Sequence, residues 1–303
     1  MKARCSSDGP SLPHPCFDPA AKGRFGRIHM PVAPTCNIQC AYCRRSCDCV
    51  HESRPGVTSR VMDPEGAAAW VDETVRRMPF ITVAGIAGPG DAFAEPTKTL
   101  ATLERVRRAH PRLNLCLSTN GLGIGDHIDD LADLRVGFVT VTINAVDPAI
   151  GARIYSRVRF NGDGLRGLPA AALLLDRQLS AVAKLKKRGV RVKINTVVIP
   201  GINDGHVIEI AQTLSRLKAD LHNLIGVIPV KGTPFEHLTA PSEALLSGLR
   251  CGAEAFIPQM RHCVRCRADA VGLLHDERTC RSPVADPAGM RMPLHCCAAY
   301  GSA

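Results

Sequence analysis

Apolar runs that suit buried strands alternate with amphipathic helical patterns along most of the 303-residue chain. Six runs predict strands at residues 27–33, 80–85, 113–118, 138–143, 190–198 and 224–228. Helical spacing occupies residues 64–78, 98–110, 126–134, 170–188, 204–217 and 241–256. This alternation favours parallel strands joined by right-handed crossovers. We therefore expect an α/β fold, either a partial or full (β/α) barrel of about six units or, as the alternative, a doubly wound sheet.

Local signals and composition shifts suggest boundaries along the chain. Asp63 suits the N-cap of a helix that begins at Pro64, and Gly189 suits the C-cap of the long helix before it. Residues 1–26 are rich in Pro, Gly and Ser and predict an irregular N-terminal segment. We expect the barrel over residues 27–260 and a cysteine-containing C-terminal extension over residues 261–303.

Composition and charge narrow the class of protein. The chain is 45% hydrophobic but only 4% aromatic, which favours an aliphatic core. Its formal net charge of +10 comes without the basic stripe and interleaved aromatics that nucleic-acid binding would need. A solvated basic surface and attraction to an anionic substrate or cofactor both stay open. The sequence shows no run of about 18 apolar residues and no secretory signal, so we expect a cytoplasmic protein without a membrane span.

Fourteen cysteines, five of them between residues 36 and 49, indicate metal ligation rather than disulfides in a reducing compartment. Cys36, Cys40 and Cys43 supply three thiolates from one short loop after the first predicted strand. Iron–sulfur clusters usually take four thiolates, so three would leave one iron of a cubane open to a small molecule. The alternative is a zinc site with a fourth ligand nearby, although the spacing suits paired Cys-x2-Cys knuckles less well.

Further polar and glycine residues follow the predicted strands. Gly88, Gly90 and Asp91 come after the second strand, Asn120 after the third and Asn144 after the fourth. The carboxyl ends of barrel strands collect the active site in folds of this type. Taken alone, the glycines would form a turn and the asparagines would cap loops.

The triad, in this spacing and place, resembles the radical S-adenosylmethionine (SAM) superfamily, and residues 88–91 (GPGD) resemble that superfamily's glycine-rich contact to the SAM amino group. The resemblance implies a partial (β/α)6 TIM-like barrel. It also implies a [4Fe-4S] cluster on the triad whose open iron binds the amino and carboxylate groups of SAM. Reductive cleavage would then give methionine and a 5′-deoxyadenosyl radical. The implied SAM-binding candidates are Gly88, Gly90, Asp91, Asn120 and Asn144.

Six blocks, in order, resemble the NifB family, which matures the nitrogenase iron–molybdenum cofactor. They are residues 14–16 (HPC), 36–43 (CNIQCAYC), 52–57 (ESRPGV), 85–91 (GIAGPGD), 116–121 (CLSTNG) and 261–272 (RHCVRCRADAVG). The resemblance runs from about residue 14 to residue 274, and such a series is more specific than the triad alone. It implies an enzyme that fuses two [4Fe-4S] clusters with a SAM-derived carbide and an added sulfur into the eight-iron precursor of the cofactor.

The NifB resemblance also implies ligands outside the triad, one of them in the irregular N-terminal segment. They are Cys16, His29, Cys49, Cys116, Cys263 and Cys266. The favoured division assigns Cys49, Cys116 and His29 to one substrate cubane, and the other three cysteines to the second. Glu52 and Arg54 become catalytic candidates for proton handling and cluster orientation, although alone they would be a surface ion pair. The implied partners are an iron–sulfur cluster donor, an electron donor of the ferredoxin or flavodoxin type, and a cluster carrier or acceptor of nitrogenase assembly.

Two rival interpretations stay open from the residues themselves. Another radical SAM enzyme with auxiliary clusters would share the triad but not the order of the blocks. A non-enzymatic iron or zinc carrier could close a site with Cys263, Cys266, His295 and Cys296. Two departures from the family pattern also stand out: Cys47 is not required by it, and the loop at residues 230–234 is shorter than usual.

Overall fold

The computed structural model describes residues 12–44, 49 and 61–274. Its strands and α-helices are, in chain order, β1 (Gly26–His29), β2 (Ile38–Cys40), α1 (Pro64–Arg77), β3 (Ile81–Ile86), α2 (Pro96–Ala109), β4 (Asn114–Thr119), α3 (Ile128–Asp133), β5 (Val136–Thr142), α4 (Pro148–Ile154), β6 (Tyr155–Phe160), β7 (Asp163–Leu165), α5 (Gly167–Lys187), β8 (Arg191–Val198), α6 (Val207–Arg216), β9 (Leu221–Gly226), α7 (Glu243–Glu254) and β10 (Val271–Gly272). Short 3₁₀ turns lie at Pro19–Ala21, Ile124–Asp126 and Asp204–His206.

Six parallel strands form a curled half-barrel, and β10 extends it in the antiparallel sense at one edge. The strand order is β10-β1-β3-β4-β5-β8-β9. The parallel strands therefore follow the chain order, without the reversal that a doubly wound sheet contains. The partial (β/α)6 barrel is confirmed, and the doubly wound alternative is wrong.

Alternation along the strands separates the two faces of the sheet. In β8, Val192 and Ile194 are fully buried in the main apolar core, together with apolar residues of the helices. Lys193 and Asn195, which alternate with these two residues along β8, line a cavity inside the half-barrel. Because successive side chains of a strand point to opposite faces, Lys193 and Asn195 both point to the concave side.

The helix boundaries have local causes that the sequence indicated. The Asp63 carboxylate accepts a hydrogen bond from the Gly66 amide at 2.7 Å, and Pro64 occupies the first turn of α1. Ser242 caps α7 in the same way, through the Leu245 amide. Gly189, just after α5, has a φ of +75°, which a residue without Cβ adopts at little cost.

Besides the short edge strand β10, the structure differs from the predicted elements around the cysteine loop and between β5 and α5. The first predicted strand, over residues 27–33, ends at His29, after which the chain crosses towards the cysteine loop. Between β5 and α5, where no element was predicted, α4 leads into β6 and β7, which form a second sheet with β2. Strand β2 is three residues long and pairs with β6 more than a hundred positions away, so its local sequence carries little signal.

The described parts of both extensions pack against the half-barrel. His14 and Phe17 stack against Phe138 of β5, with ring centroids 4.4 and 5.0 Å away. On the other side, β10 pairs with β1, and the Arg27 guanidinium donates to the carbonyl of Gly272. Among the helices of the described ranges, none is both long and apolar enough to cross a membrane.

Candidate active site: two adjoining cavities

Cys36 precedes β2, Cys40 is its last residue and Cys43 follows it, and the three share one cavity with Cys49. Cys40 and Cys43 are buried, and the Cys43 amide donates to the Cys40 carbonyl at 3.1 Å. The Gln39 side-chain amide donates to the carbonyls of Cys40 and Cys43, at 3.0 and 2.6 Å. These bonds hold the loop so that its thiols line a common space, which we call the triad cavity.

A close backbone crossing joins the triad loop to the glycine-rich segment after β3. The Gly90 amide donates to the Ala33 carbonyl at 2.6 Å, and the Asp91 amide donates to the Thr35 carbonyl at 2.7 Å. A Cβ on Gly90 would lie 2.0 Å from the Thr35 oxygen, far inside contact distance. Only glycine therefore fits at position 90. Cys49 is tied to the same segment, because its amide donates to the Pro89 carbonyl at 3.1 Å.

Asp91 is 4% exposed and links the ends of β3 and β4. Its carboxylate accepts from the Asn120 amide at 2.5 Å, from the Thr119 hydroxyl at 3.1 Å and from the Phe93 amide at 2.9 Å. Although Asp91 lines the triad cavity, these bonds already occupy its carboxylate. The geometry thus gives Asp91 a positioning part, in which it holds Asn120 in place.

Asn120 reaches the triad directly. Its side-chain amide donates to the Asn37 side chain at 2.6 Å and to the Cys36 sulfur at 3.7 Å. Asn144, by contrast, is fully buried: it donates to the Tyr42 hydroxyl at 2.8 Å and accepts from the Val197 amide at 2.8 Å. Of the two asparagines, only Asn120 lines the triad cavity. Asn144 contacts the loop from behind, through Tyr42, and its role towards SAM stays a prediction.

Five of the six implied outer ligands line a second cavity, enclosed by the concave face of the sheet. They are Cys16, His29, Cys116, Cys263 and Cys266. This interior cavity measures about 680 Å³ including its mouth, and Ser118 lines both it and the triad cavity. The sixth, Cys49, lines the triad cavity instead. The structure therefore separates Cys49 from the pair with which the sequence grouped it, although the two cavities adjoin.

Gly85 opens a gap between two of these candidates. The sheet register places His29, Gly85 and Cys116 side by side on β1, β3 and β4. A Cβ on Gly85 would meet the His29 ring at 3.4 Å and the Cys116 Cβ at 3.7 Å. Since neighbouring strands lie about 4.8 Å apart, the backbones at His29 and Cys116 are roughly 10 Å apart, and both side chains border the space left at Gly85. An inorganic group in that space could contact both side chains.

The state of His29 suits ligation. Burial, followed by the nearby Arg27 charge, lowers the pKa of His29 to about 4, so the imidazole is neutral near pH 7. Its Nδ1 lies 3.0 Å from the Arg267 carbonyl oxygen. A carbonyl can only accept, so Nδ1 carries the hydrogen and Nε2 keeps its lone pair. That is the tautomer in which a histidine binds iron through Nε2, with the other nitrogen held by the protein.

Two buried cations accompany the cysteines of the interior cavity. Arg27, 1% exposed, donates to the Cys266 sulfur at 3.0 Å, and Lys193, 8% exposed, also lines the cavity. Burial raises the pKa of the Cys16 thiol to about 11, while Lys193 and Arg27 act in the opposite direction. These cations favour thiolates and would offset the negative charge of an iron–sulfur cluster. Sequence reasoning missed both residues, and no local motif marks them.

The remaining predicted residues lie partly outside the described ranges. Glu52, Arg54, Cys47, His295 and Cys296 fall there. Gly88 is described, with a φ of +111°, and its carbonyl accepts from the Ala33 amide at 3.4 Å. Within residues 12–44, 49 and 61–274, no three His, Cys, Asp or Glu side chains converge closely enough to chelate one metal ion. The candidate ligand cysteines of the described ranges line the two cavities.

Comparison with known proteins identifies the class. Residues 30–214 match the Radical SAM superfamily, and the chain belongs to that superfamily. A solved structure of Streptococcus suis SuiB bound to S-adenosylmethionine has a TM-score of 0.53 at 15% identity, covering 77% of this chain and 47% of that one. That likeness shows the fold.

Curated relatives are more specific. The FeMo cofactor biosynthesis protein NifB of Chlorobaculum tepidum is 47% identical over 261 residues, covering 86% of this chain and 62% of that protein. NifB of Bradyrhizobium diazoefficiens is 45% identical over 286 residues, covering 93% of this chain and 57% of that protein. The NifB resemblance carried by the six sequence blocks is thereby confirmed. The chain spans less than two thirds of the length of these relatives.

Membership of the Radical SAM superfamily implies a [4Fe-4S] cluster and SAM, and the residues of the triad cavity fit both. Three cysteine thiols from one loop face one space, as a cubane with an open iron requires. Gly90 and Asn120 line the same space, so a small molecule could bind beside the cysteines. Cys36, Cys40 and Cys43 would hold the cluster, which supplies reductive cleavage of SAM.

Proposed function

We propose that this protein assembles the eight-iron precursor of the nitrogenase cofactor. In this reaction two [4Fe-4S] clusters, a carbon from SAM and an added sulfur are joined. The observation that carries the proposal is the interior cavity: five candidate ligands line it, directly beside the triad cavity. A radical SAM enzyme without further clusters would not need a second set of cysteines there, and one with auxiliary clusters would not share the order of the six blocks.

The chain's own residues have separate tasks in this proposal. Cys16, Cys263 and Cys266 bind one substrate cubane, with Arg27 and Lys193 as counter-charges. His29 and Cys116 bind the other across the gap at Gly85, and Cys49 contributes from the triad side. Ser118 marks the passage through which the SAM-derived carbon reaches the clusters. Glu52 and Arg54 keep their proposed parts in proton handling and cluster orientation.

Anaerobic reconstitution with iron, sulfide, SAM and dithionite tests the function. We expect about twelve irons per chain, from three cubanes, and formation of 5′-deoxyadenosine. The extracted product should activate cofactor-deficient nitrogenase. If 5′-deoxyadenosine forms but no activating product accompanies it, the protein is a different radical SAM enzyme. Zinc with little iron would instead favour a metal carrier.

The proposed partners follow from this chemistry. Each turnover needs an electron source, two cubanes and an acceptor for the product. An iron–sulfur cluster donor, a ferredoxin- or flavodoxin-type electron donor and a cluster carrier of the nitrogenase pathway would supply these needs. A pull-down of the loaded protein with each candidate class, under anaerobic conditions, tests them separately.

A further inference from the structure

A third cavity lies beside the triad and is lined by four arginines. Arg157 and Arg159 stand two positions apart on β6, Arg166 precedes α5, and Arg44 follows the triad loop. With the residues around Gly232, they border a space of about 1220 Å³ including its open mouth. We call this the arginine cavity. It is distinct from the interior cavity, with which it shares no lining residue.

Among the residues that the structure describes, those lining the arginine cavity carry an excess of positive charge. No Asp or Glu of the described residues lines it, and none of the four arginines forms an ion pair with a carboxylate in those residues. Arg44 donates to the Lys231 carbonyl at 3.3 Å, and Arg44, Arg159 and Arg166 are exposed. Grouping like charges costs folding energy, so a cluster of this kind suits an anionic partner.

The position of the cavity indicates what that partner does. Cys36, Cys40 and Cys43 line its inner wall, as they line the triad cavity. None of the six outer ligand candidates lines it. A protein seated here would therefore approach the cluster of the triad and not the substrate clusters. At each turnover that cluster must receive SAM, for which Gly90 and Asn120 line the triad cavity beside the cysteines, and an electron, which a partner protein brings.

We propose that the arginine cavity is the docking site of an acidic electron-transfer protein, carrying a flavin or an iron–sulfur centre, that reduces the cluster on Cys36, Cys40 and Cys43. The inference rests on the part of the proposed function that places a SAM-cleaving cluster there, and it is independent of the carbide chemistry. Weak redox complexes use small interfaces, and their association is accelerated by opposite charges across the interface.

The test compares two reductants on the full reconstituted chain. A purified acidic flavodoxin, reduced by its NADPH-dependent reductase, reaches the cluster only by docking, whereas dithionite reaches it by diffusion. For R157E/R159E we expect flavodoxin-driven formation of 5′-deoxyadenosine to fall at least about tenfold at low salt. Dithionite-driven formation should stay within about twofold, and SAM affinity should be unchanged. R157Q/R159Q should lie between this variant and the wild type.

Arg112→Glu is the matched control, because Arg112 is exposed and lies just before β4, at the opposite end of the strand from the triad. It should leave both rates at the wild-type level. Equal losses with both reductants would overturn the proposal, since the arginines would then serve SAM or the cluster itself. Unchanged flavodoxin-driven rates in R157E/R159E would overturn it as well.

Failure of the proposed function gives a different result. If the wild type cleaves no SAM with dithionite, the assignment of the triad is wrong. Flavodoxin binding, measured by calorimetry without SAM, then still decides whether the arginine cavity is a docking site. Binding that is lost in R157E/R159E and kept in Arg112→Glu supports the site, and binding that is equal in all three excludes it.

Discussion

Two glycines show how single residues shape the cavities. Gly85 leaves space, because its missing side chain opens the span between His29 and Cys116. Gly90 allows a close approach of two backbone segments, because a side chain at position 90 would collide with the Thr35 carbonyl. In both cases the requirement comes from a neighbouring segment of the chain rather than from the local conformation. The glycine at 85 concerns ligand binding, and the glycine at 90 concerns the shape of the triad loop.

Gly90→Ala should release the triad loop from the glycine-rich segment. The added methyl meets backbone atoms that cannot rotate away, so we expect a loss of about 1–3 kcal/mol in the free energy of unfolding and a lower iron content. Thermal unfolding and iron analysis of the reconstituted protein measure both. Gly137→Ala is the control, because a Cβ there meets no atom within 4 Å. Full iron content and stability in Gly90→Ala would contradict the close crossing.

His222 predicts an acid-sensitive fold. It is fully buried on β9, and burial lowers its pKa to about 3. Its Nε2 lies 3.0 Å from the Thr196 hydroxyl, whose hydrogen is already donated to the Ile143 carbonyl. His222 must therefore donate through Nε2 and stay neutral. Between about pH 6.5 and pH 3 the unfolded chain binds a proton at this residue that the folded chain does not, so stability is lost as the pH falls.

From about pH 7 to pH 5 this single residue should lower the free energy of unfolding by about 2 kcal/mol. Denaturant unfolding at a series of pH values measures the slope of the free energy of unfolding against pH, to which other buried histidines also contribute. In His222→Gln this slope should correspond to about one proton fewer taken up on unfolding, whatever the absolute stability of the variant. An unchanged slope would show that His222 is protonated in the folded protein.

At the scale of elements, the triad loop depends on a small sheet outside the half-barrel. Strand β2, which contains Cys40, has β6 as its partner, and β6 in turn pairs with β7. Val158 of β6 is fully buried in a second apolar cluster, together with Ile38 and Cys40. The hairpin therefore supports the cysteines from one side and carries two of the arginines on the same strand.

Val158→Ala should weaken this support without disturbing the half-barrel. The deleted methyl groups leave a cavity beneath β2, which we expect to cost about 2 kcal/mol and to speed the loss of iron to a chelator. The rate of iron release under anaerobic conditions, with far-UV circular dichroism as a check on folding, gives the answer. Val61→Ala, at a position 54% exposed, is the control. Equal release rates in both variants would mean that β6 does not hold the loop.

At the scale of the whole molecule, two ligand sets occupy adjoining cavities of one half-barrel. The triad cavity lies where β3 and β4 end, and the interior cavity lies against the concave face. The described N-terminal segment and the chain around β10 bring Cys16, Cys263 and Cys266 to the interior cavity. Such an arrangement allows radical formation and cluster binding to be separated by mutation.

Cys36→Ala and Cys266→Ala should fail in different ways. Cys36→Ala should abolish SAM cleavage and leave the outer clusters loaded. Cys266→Ala should keep SAM cleavage and lose about four irons per chain, together with the activating product. Iron quantitation, EPR before and after SAM, and 5′-deoxyadenosine assays distinguish the two. Survival of cleavage in Cys36→Ala would refute the assignment of the triad.

The sequence by itself determined the features that repeat locally. Strand and helix periodicity predicted the six parallel strands, and cap residues such as Asp63 and Gly189 marked where helices begin and end. The triad and Cys263-x2-Cys266 were visible as spacings, because thiolate pairs at short intervals are rare without a metal or redox role. The family resemblance then linked Cys16, His29 and Cys116, which alone carried no signal.

Only the tertiary structure decided which of these residues share a space. It placed Cys49 with the triad and turned Asp91 into the residue that holds Asn120. It also brought Lys193 and Arg27 to the cysteines, and set Arg157 beside Cys40. The physical reason is that these contacts join segments far apart in the chain, where register and sheet curvature set the distances. A buried cation and an exposed one look the same in a sequence, since burial depends on what the rest of the chain packs around them.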